Sequence, residues 1–288
     1  MQRVLDAHPD QIQLALNASD VERITKSGKI AAILSVEGGH QIADDLAVLR
    51  VYYHLGIRSM TLSHFRNNNW ADSSTDKPVH NGLTDFGKDV VREMNRLGMI
   101  VDISHVSDKT FYDAIAVSTK PVIASHSSCR ALSDVPRNMT DDMIRALSKN
   151  GGVIAINFGE GFLNPKDAEL LMKAVRSMGY SEPDLTGKAL DDYAAQELHR
   201  DMKKAAVSYA TIDDAVAHID HAVKIAGIDH VGIGSDFDGI TAPPKGLEDI
   251  SKMPALTAAL KKKGYSDQDI RKIFGLNTLR VFREVAGK

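Results

Sequence analysis

Two apolar runs that both end in Ser-His constrain the fold of this chain more than any other feature. They are MIVDISHV at residues 99–106 and KPVIASHS at residues 120–127. A short apolar run that ends abruptly in a polar residue is typical of a buried strand. The stretch between the two runs has a helical pattern, which predicts consecutive parallel strands of a β/α unit. Because neighbouring parallel strands lie ~4.8 Å apart, we expect His105 and His126 to face the same space.

Three further predicted strands also end in a residue suited to chemistry. Glu37 follows KIAAILSV, His64 follows IRSMTLS and Asp236 follows HVGIGS. Repeated βα units with polar residues at the carboxyl ends of the strands are typical of a parallel sheet whose site lies at that edge. No strand is predicted before residue 29, so the sheet falls short of the eight strands of a closed barrel. The predicted strands lie near residues 30–36, 57–63, 99–104, 121–125, 152–158 and 230–235.

These strand ends predict a metal centre. Two imidazoles and a carboxylate are a ligand set typical of catalytic zinc, so Glu37, His105 and His126 are the candidate ligands. A single histidine at a strand end is more often a hydrogen-bonded structural residue, but here polar residues end most of the predicted strands. Arg137, in the loop after the His126 strand, is either a surface arginine in an ordinary ion pair or a clamp for a substrate carboxylate, which its planar guanidinium suits.

Other histidines and the cysteine are not predicted to take part. His218 and His221 lie opposite the apolar stripe of their helix, which predicts a solvent-exposed face. His8 and Asp10 form a His-x-Asp motif, but the surrounding AHPDQIQ contains no apolar run and does not predict a barrel strand. Nothing beside Cys129 predicts an activated thiolate.

Composition excludes several classes of partner. The chain has 288 residues, of which 43% are hydrophobic and 25% charged, as in an ordinary globular domain. A formal net charge of −3 argues against nucleic-acid binding, and no run is long enough for a membrane-spanning helix. A single cysteine excludes an intrachain disulfide. Residues 159–210 are charged and helix-prone, which predicts a helical excursion within one domain over residues 1–288.

A series of motifs along the chain identifies a family. The motifs are, in order, SVEGGH, TLSHFRNNNWADS, GMIVDISHVS, VIASHSSCRAL, RNMTDD, GGVIAINF, HVGIGSDFDG and GLNTLRVF. Together they resemble the membrane (renal) dipeptidase family of zinc metallopeptidases over essentially the whole chain. The resemblance implies an α/β fold, a TIM-like (β/α)8 barrel, with two zinc ions in the complete site and hydrolysis of dipeptides.

The same resemblance implies the metal ligands, and it shows one difference between this sequence and the family. Glu37 would bridge both zinc ions, and His105 and His126 would complete the protein ligands of one of them. The family begins with a strand that carries His-x-Asp, which supplies the remaining ligands of the other zinc, and a second strand follows. Neither strand is found in this sequence. We therefore expect an N-terminally truncated barrel that lacks its first two strands and holds one well-formed zinc site.

The remaining candidates take their roles from the resemblance as well. His64 would stabilise the tetrahedral intermediate, Arg137 would bind the substrate carboxylate, and Asp236 would handle the proton of the attacking water, so that all three contact the substrate. Two alternatives stay open: hydrolysis of an N-acyl amino acid or a lactone on the same site, and a catalytically impaired fragment that keeps one metal. A homodimer is compatible with the sequence. The compartment is unassigned: the chain is expected to be soluble as it stands, and cytoplasmic, or exported if a signal precedes it.

Overall fold

A parallel sheet forms the centre of the fold. The structure is a computed structural model that describes residues 2–159, 161–177, 208–240 and 242–287. Its strands are β1 Ile12–Leu14, β2 Ile30–Ala32, β3 Leu34–Val36, β4 Ile57–Thr61, β5 Ile100–Asp102, β6 Ile123–Ala124, β7 Val153–Ile156 and β8 Val231–Ile233. β3 to β8 form a six-stranded sheet in chain order, and every neighbouring pair is parallel. Parallel pairing in chain order brings the carboxyl ends of all six strands to one edge.

Helices alternate with the strands and cover the sheet. They are α1 Gln2–Ala7, α2 Ala18–Lys26, α3 Leu46–His54, α4 Asp85–Leu97, α5 Asp108–Val117, α6 Asp141–Lys149, α7 Pro165–Ser177, α8 Ile212–Ala226, α9 Met253–Lys263, α10 Asp267–Arg271 and α11 Asn277–Ala286. Thr84, Ser107 and Thr140 cap α4, α5 and α6, each accepting a backbone N–H from the first turn. Each cap fixes the point at which the loop after a strand becomes a helix. None of the described helices is long and apolar enough to cross a membrane.

The core lies between the sheet and these helices. Every residue of β5 and β7 is buried, as expected for a parallel sheet covered on both faces. The largest cluster of buried side chains joins strand residues such as Ile154 to helix residues such as Val90, Met94 and Ile144. Burial on both sides leaves the strand ends as the places where polar side chains reach solvent or a ligand.

The predicted strands are confirmed, although they are shorter than predicted and the first is divided in two. Ile33 separates β2, which pairs with β1, from β3, which pairs with β4. The prediction that no strand precedes residue 29 is wrong, because β1 pairs in parallel with β2. A three-residue strand is too short to show a period of its own, and its partner determines its conformation.

The α/β class is confirmed. Within the described residues β8 is not paired with β3, so hydrogen bonds do not close the sheet into a barrel. The expected loss of two strands stays a prediction, as does the single domain over residues 1–288. Of the helical excursion predicted at about 159–210, α7 is helical as expected, and residues 178–207 lie outside the described part of the chain.

Candidate metal centre

Three side chains converge at the carboxyl edge of the sheet. Glu37 follows β3, His105 follows β5 and His126 follows β6. Oε1 of Glu37 is 3.0 Å from Nε2 of His105 and 3.1 Å from Nε2 of His126. The two Nε2 atoms are 2.8 Å apart. All three donor atoms lie within 4.8 Å of one another, which is close enough to hold one metal ion.

The donor set fits a divalent metal. Burial lowers the pKa of His105 well below its usual value, so this imidazole is neutral, as a ligand must be. Desolvation raises the pKa of Glu37, but hydrogen bonds to His105 and His126 outweigh it, and the pKa lies well below its usual range. Two imidazole nitrogens and one carboxylate oxygen thus face one point, the arrangement that a zinc-type ion requires.

Two of the candidate residues have a left-handed backbone. The φ angle is 68° at His105 and 59° at Asp236. A residue with a Cβ in this region carries strain of roughly 1–2 kcal/mol. Both residues lie just past the end of a strand, and the side chain of His105 reaches Glu37 at the edge of the sheet. Such strain is typical of functional sites.

His64 lies beside the three ligand candidates. Its Nε2 is 3.8 Å from Oε1 of Glu37, and its ring centroid is 4.4 Å from that of His105. It also lines a cleft of about 410 Å³ together with His40, Arg66 and Asn67. His64 therefore joins the candidate metal position to a space large enough for a small substrate.

Arg137 is buried next to the site, so the alternative of a surface ion pair is wrong. Its side chain is 8% exposed, and its Nη2 donates to the backbone oxygen of His126 at 3.2 Å. Its Cζ lies 5.1 Å from the ring centroid of Phe162. Within the described residues Nε and Nη1 are buried without a partner. Burial lowers the pKa of Arg137 to about 10, so the group remains a cation at neutral pH.

Asp236 completes the set of predicted residues. Burial raises the pKa of its carboxyl, and Nδ2 of Asn157 lies 3.4 Å from its Oδ2. Asn157 directly follows β7 and is fully buried. Asn157 was not among the residues predicted from the sequence, although its position at a strand end was a signal that could have identified it. The buried carboxylate of Asp102, which accepts the backbone N–H groups of Ser104 and Ser125, was not predicted either.

The prediction that His218 faces solvent is wrong. Its side chain is 1% exposed. Nδ1 accepts the backbone N–H of Cys129 at 3.0 Å, and Nε2 lies 3.1 Å from the backbone oxygen of Leu163. Burial raises the pKa of the Cys129 thiol to about 12, which agrees with the prediction that it is not a nucleophile. His8 is exposed beyond α1 and lies outside the group of three ligand candidates.

An α/β fold that carries candidate metal ligands at the carboxyl ends of its parallel strands is the arrangement typical of metal-dependent hydrolases. A sequence profile of the membrane dipeptidase family (peptidase family M19) matches residues 1–287. The chain belongs to this family.

Individual relatives agree with this assignment. The dipeptidase tcpJ of Claviceps purpurea (strain 20.1) is 41% identical over 286 residues, which cover 99% of this chain and 58% of that protein. The chain therefore spans less than two thirds of the length of this curated relative. The crystal structure of the probable dipeptidase PvdM from Pseudomonas aeruginosa is similar with a TM-score of 0.84 and 32% identity, covering 99% of this chain and 76% of that one.

A third relative was solved with a ligand. The metallopeptidase from Rhodobacter sphaeroides, liganded with a phosphinate mimic of the dipeptide L-Ala-D-Ala, is similar with a TM-score of 0.76 and 26% identity. The match covers 95% of this chain and 69% of that one.

Proposed function

We propose that this protein hydrolyses dipeptides with a metal-activated water. The observation that carries the proposal is the convergence of the Glu37, His105 and His126 donor atoms within 4.8 Å. Family membership supports it, as does the name dipeptidase given to the relative from Claviceps purpurea. The dipeptide mimic bound by the Rhodobacter sphaeroides relative supports a substrate of the same size.

The metal in this proposal is zinc, with one well-formed site in the chain. His105 and His126 each offer one nitrogen, and Glu37 offers Oε1 to the same ion. A bound divalent ion supplies a water acidic enough to attack at neutral pH and polarises the scissile carbonyl. The carboxylate of Glu37 has a second oxygen, which would be available to a second ion in a complete site.

Asp236 transfers the proton, and His64 stabilises the negative charge that develops during the reaction. A general base works best when its pKa is close to the working pH, and burial moves the pKa of Asp236 upward in that direction. Asp236 accepts the proton of the attacking water and returns it to the leaving amine. His64, whose Nε2 is 3.8 Å from Glu37, stabilises the oxyanion of the tetrahedral intermediate.

Arg137 holds the carboxylate of the dipeptide. Two nitrogens of the Arg137 guanidinium are buried without a hydrogen-bond partner among the described residues, and a buried polar group without a partner is costly. A substrate carboxylate can accept two parallel hydrogen bonds from one guanidinium. This contact fixes the peptide with its scissile bond over the metal position and favours free dipeptides over substrates that lack a carboxylate.

A substrate panel tests the proposal. The zinc-loaded protein is incubated with Ala-Ala, with an N-acetyl amino acid and with a lactone. We expect Ala-Ala to be hydrolysed with a kcat/KM at least 100-fold above the other two. The N-acetyl amino acid also has a carboxylate for Arg137, whereas the lactone does not, so the order of the two poorer substrates reports on this contact.

Variants at Arg137 provide the control. Arg137→Ala is expected to raise the KM for Ala-Ala at least 10-fold and to leave the zinc content unchanged, whereas the exposed Arg145→Ala changes neither. Faster hydrolysis of the N-acetyl amino acid or the lactone contradicts the dipeptidase proposal. Zinc binding without hydrolysis of any of the three contradicts it too, and supports a catalytically impaired chain.

A further inference from the structure

A buried carboxylate joins the strands that carry the histidine ligands. Asp102, the last residue of β5, is 4% exposed. Its Oδ1 accepts the backbone N–H groups of Ser104 and Ser125, each at 3.0 Å. Its Oδ2 accepts the hydroxyl of Thr61 at 3.2 Å. One side chain therefore connects the carboxyl ends of the neighbouring strands β4, β5 and β6.

Backbone pairing between β5 and β6 is too short to fix these ends by itself. β6 has 2 residues, and its described register with β5 is the single pair of Asp102 with Ile123. Beyond that pair the chain enters the left-handed turn at His105, with a φ of 68°. Side-chain hydrogen bonds therefore add to the backbone pairing that holds the two strand ends together.

Two serine hydroxyls extend this connection to His126. Oγ of Ser104 accepts the backbone N–H of His126 at 3.0 Å, and Oγ of Ser125 is 2.7 Å from its Nδ1. The two hydroxyl oxygens are 3.4 Å apart. A ligand histidine whose other ring nitrogen is hydrogen-bonded is held in one tautomer and one orientation. A continuous set of contacts thus runs from Asp102 to the imidazole whose Nε2 faces Glu37.

We propose that Asp102 is a positioning residue that sets the spacing of the His105 and His126 nitrogens for metal binding. The inference rests on the metal site of the proposed function and adds a residue that contacts neither metal nor substrate. Without the carboxylate, the N–H groups of Ser104 and Ser125 lose their shared acceptor and the strand ends can separate. Loss of such an outer contact typically lowers metal affinity about 10–100-fold.

Asp167, on α7, offers a matched control. It is also 4% exposed, and its carboxylate accepts the backbone N–H groups of Tyr209 and Ala210 and the hydroxyl of Ser208. Both aspartates thus bind two backbone N–H groups and one hydroxyl. Removing either carboxylate leaves buried donors unsatisfied, so both alanine variants should lower the free energy of unfolding, but only Asp102 connects the ligand strands.

The test measures metal binding to the full chain. The Kd for Zn²⁺ is measured by competition with a chromogenic chelator, and the visible absorption of bound Co²⁺ reports the ligand geometry. We expect Asp102→Ala to raise the zinc Kd about 10–100-fold and to change the cobalt spectrum. Asp167→Ala should leave both unchanged. Asp102→Asn retains one acceptor oxygen for the two N–H groups and should restore most of the affinity.

Two results would overturn the inference. One is an unchanged zinc Kd and cobalt spectrum in Asp102→Ala, and the other is a loss of zinc affinity in Asp167→Ala equal to that in Asp102→Ala. If Asp102→Ala does not fold, Ser125→Ala removes only the hydroxyl beside Nδ1 of His126, and an unchanged Kd in that variant overturns the inference instead. A wild-type chain that binds no zinc contradicts the proposed function itself, whereas tight wild-type binding with an unaffected Asp102→Ala contradicts only this inference.

Discussion

At the scale of single residues, His218 links the stability of the fold to pH. Its imidazole accepts the backbone N–H of Cys129 through Nδ1, which only the neutral ring can do. Burial lowers the pKa of His218 to about 4 from its ordinary 6.5. The depressed pKa means that His218 contributes stability that is fully present above pH 6.5 and is lost as the pH falls towards 4.

Replacing His218 should therefore flatten the pH dependence of stability. Each unit of pKa corresponds to about 1.4 kcal/mol, so we expect the wild-type chain to lose up to roughly 3 kcal/mol more than His218→Gln between pH 6.5 and 4. Urea unfolding at several pH values measures the difference. His54→Gln, on the exposed side of α3, is the control and should follow the wild type. Parallel curves for wild type and His218→Gln would show that this histidine does not carry the acid sensitivity.

His218 also marks a limit of sequence-based prediction at this scale. The apolar stripe of α8 predicted which face of the helix packs on the sheet. The face that carries His218 is covered as well, because His218 contacts Cys129 and Leu163, which are distant in the chain. Strand-end residues such as His105 and His126 were predictable because an apolar run and its end are local features. The contacts of Asp102 join segments distant in sequence, and no local pattern indicates them.

At the scale of elements, the close approach of β8 to the His126 strand depends on a glycine. Gly234 follows β8, and its N–H donates to the backbone oxygen of Ile156 at 3.0 Å. A Cβ on Gly234 would overlap the backbone oxygen of Ser125. Ser125 precedes His126, and Asp236 is two residues after Gly234. The chain after β8 can therefore approach the end of β6, across the intervening β7, only while this position lacks a side chain.

Gly234→Ala should push the two strand ends apart. We expect a loss of about 1–3 kcal/mol in the free energy of unfolding, as for other overpacked sites, and at least a 10-fold lower kcat for Ala-Ala. Gly232→Ala in β8 is the control, because its Cβ would meet a side-chain atom of Val153 at 3.2 Å, and that side chain can shift. Urea unfolding and steady-state kinetics compare the two. Equal effects of both substitutions would rule out the proposed role of the close approach.

The sequence predicted long elements better than short ones. The β-rich runs gave the strands of the main sheet, because each contains several consecutive apolar residues. β1 was missed and the division between β2 and β3 was not foreseen, since strands of 3 residues take their conformation from their partners. β6 is also short, so side-chain hydrogen bonds help to fix the position of its end. A sequence pattern does not reveal such hydrogen bonds.

At the scale of the whole molecule, sheet topology explains why the site was predictable. Strands paired in parallel and in chain order place all their carboxyl ends at one edge, so Glu37, His105 and His126 meet although they are distant in sequence. This placement of the strand ends can be predicted from the order and direction of the strands alone. The burial of Arg137 against Phe162 depends instead on how two loops fold over that edge, and the sequence left its role open for that reason.

We propose that these three residues hold a metal that drives dipeptide hydrolysis. The most direct test is the rate of alanine release from Ala-Ala, measured on chelator-treated protein as zinc is added back. We predict no release without metal, a rise that saturates as the site fills, and no recovery in His105→Ala at the same zinc concentrations. Hydrolysis by the metal-free chain, or undiminished hydrolysis by His105→Ala, would contradict the account.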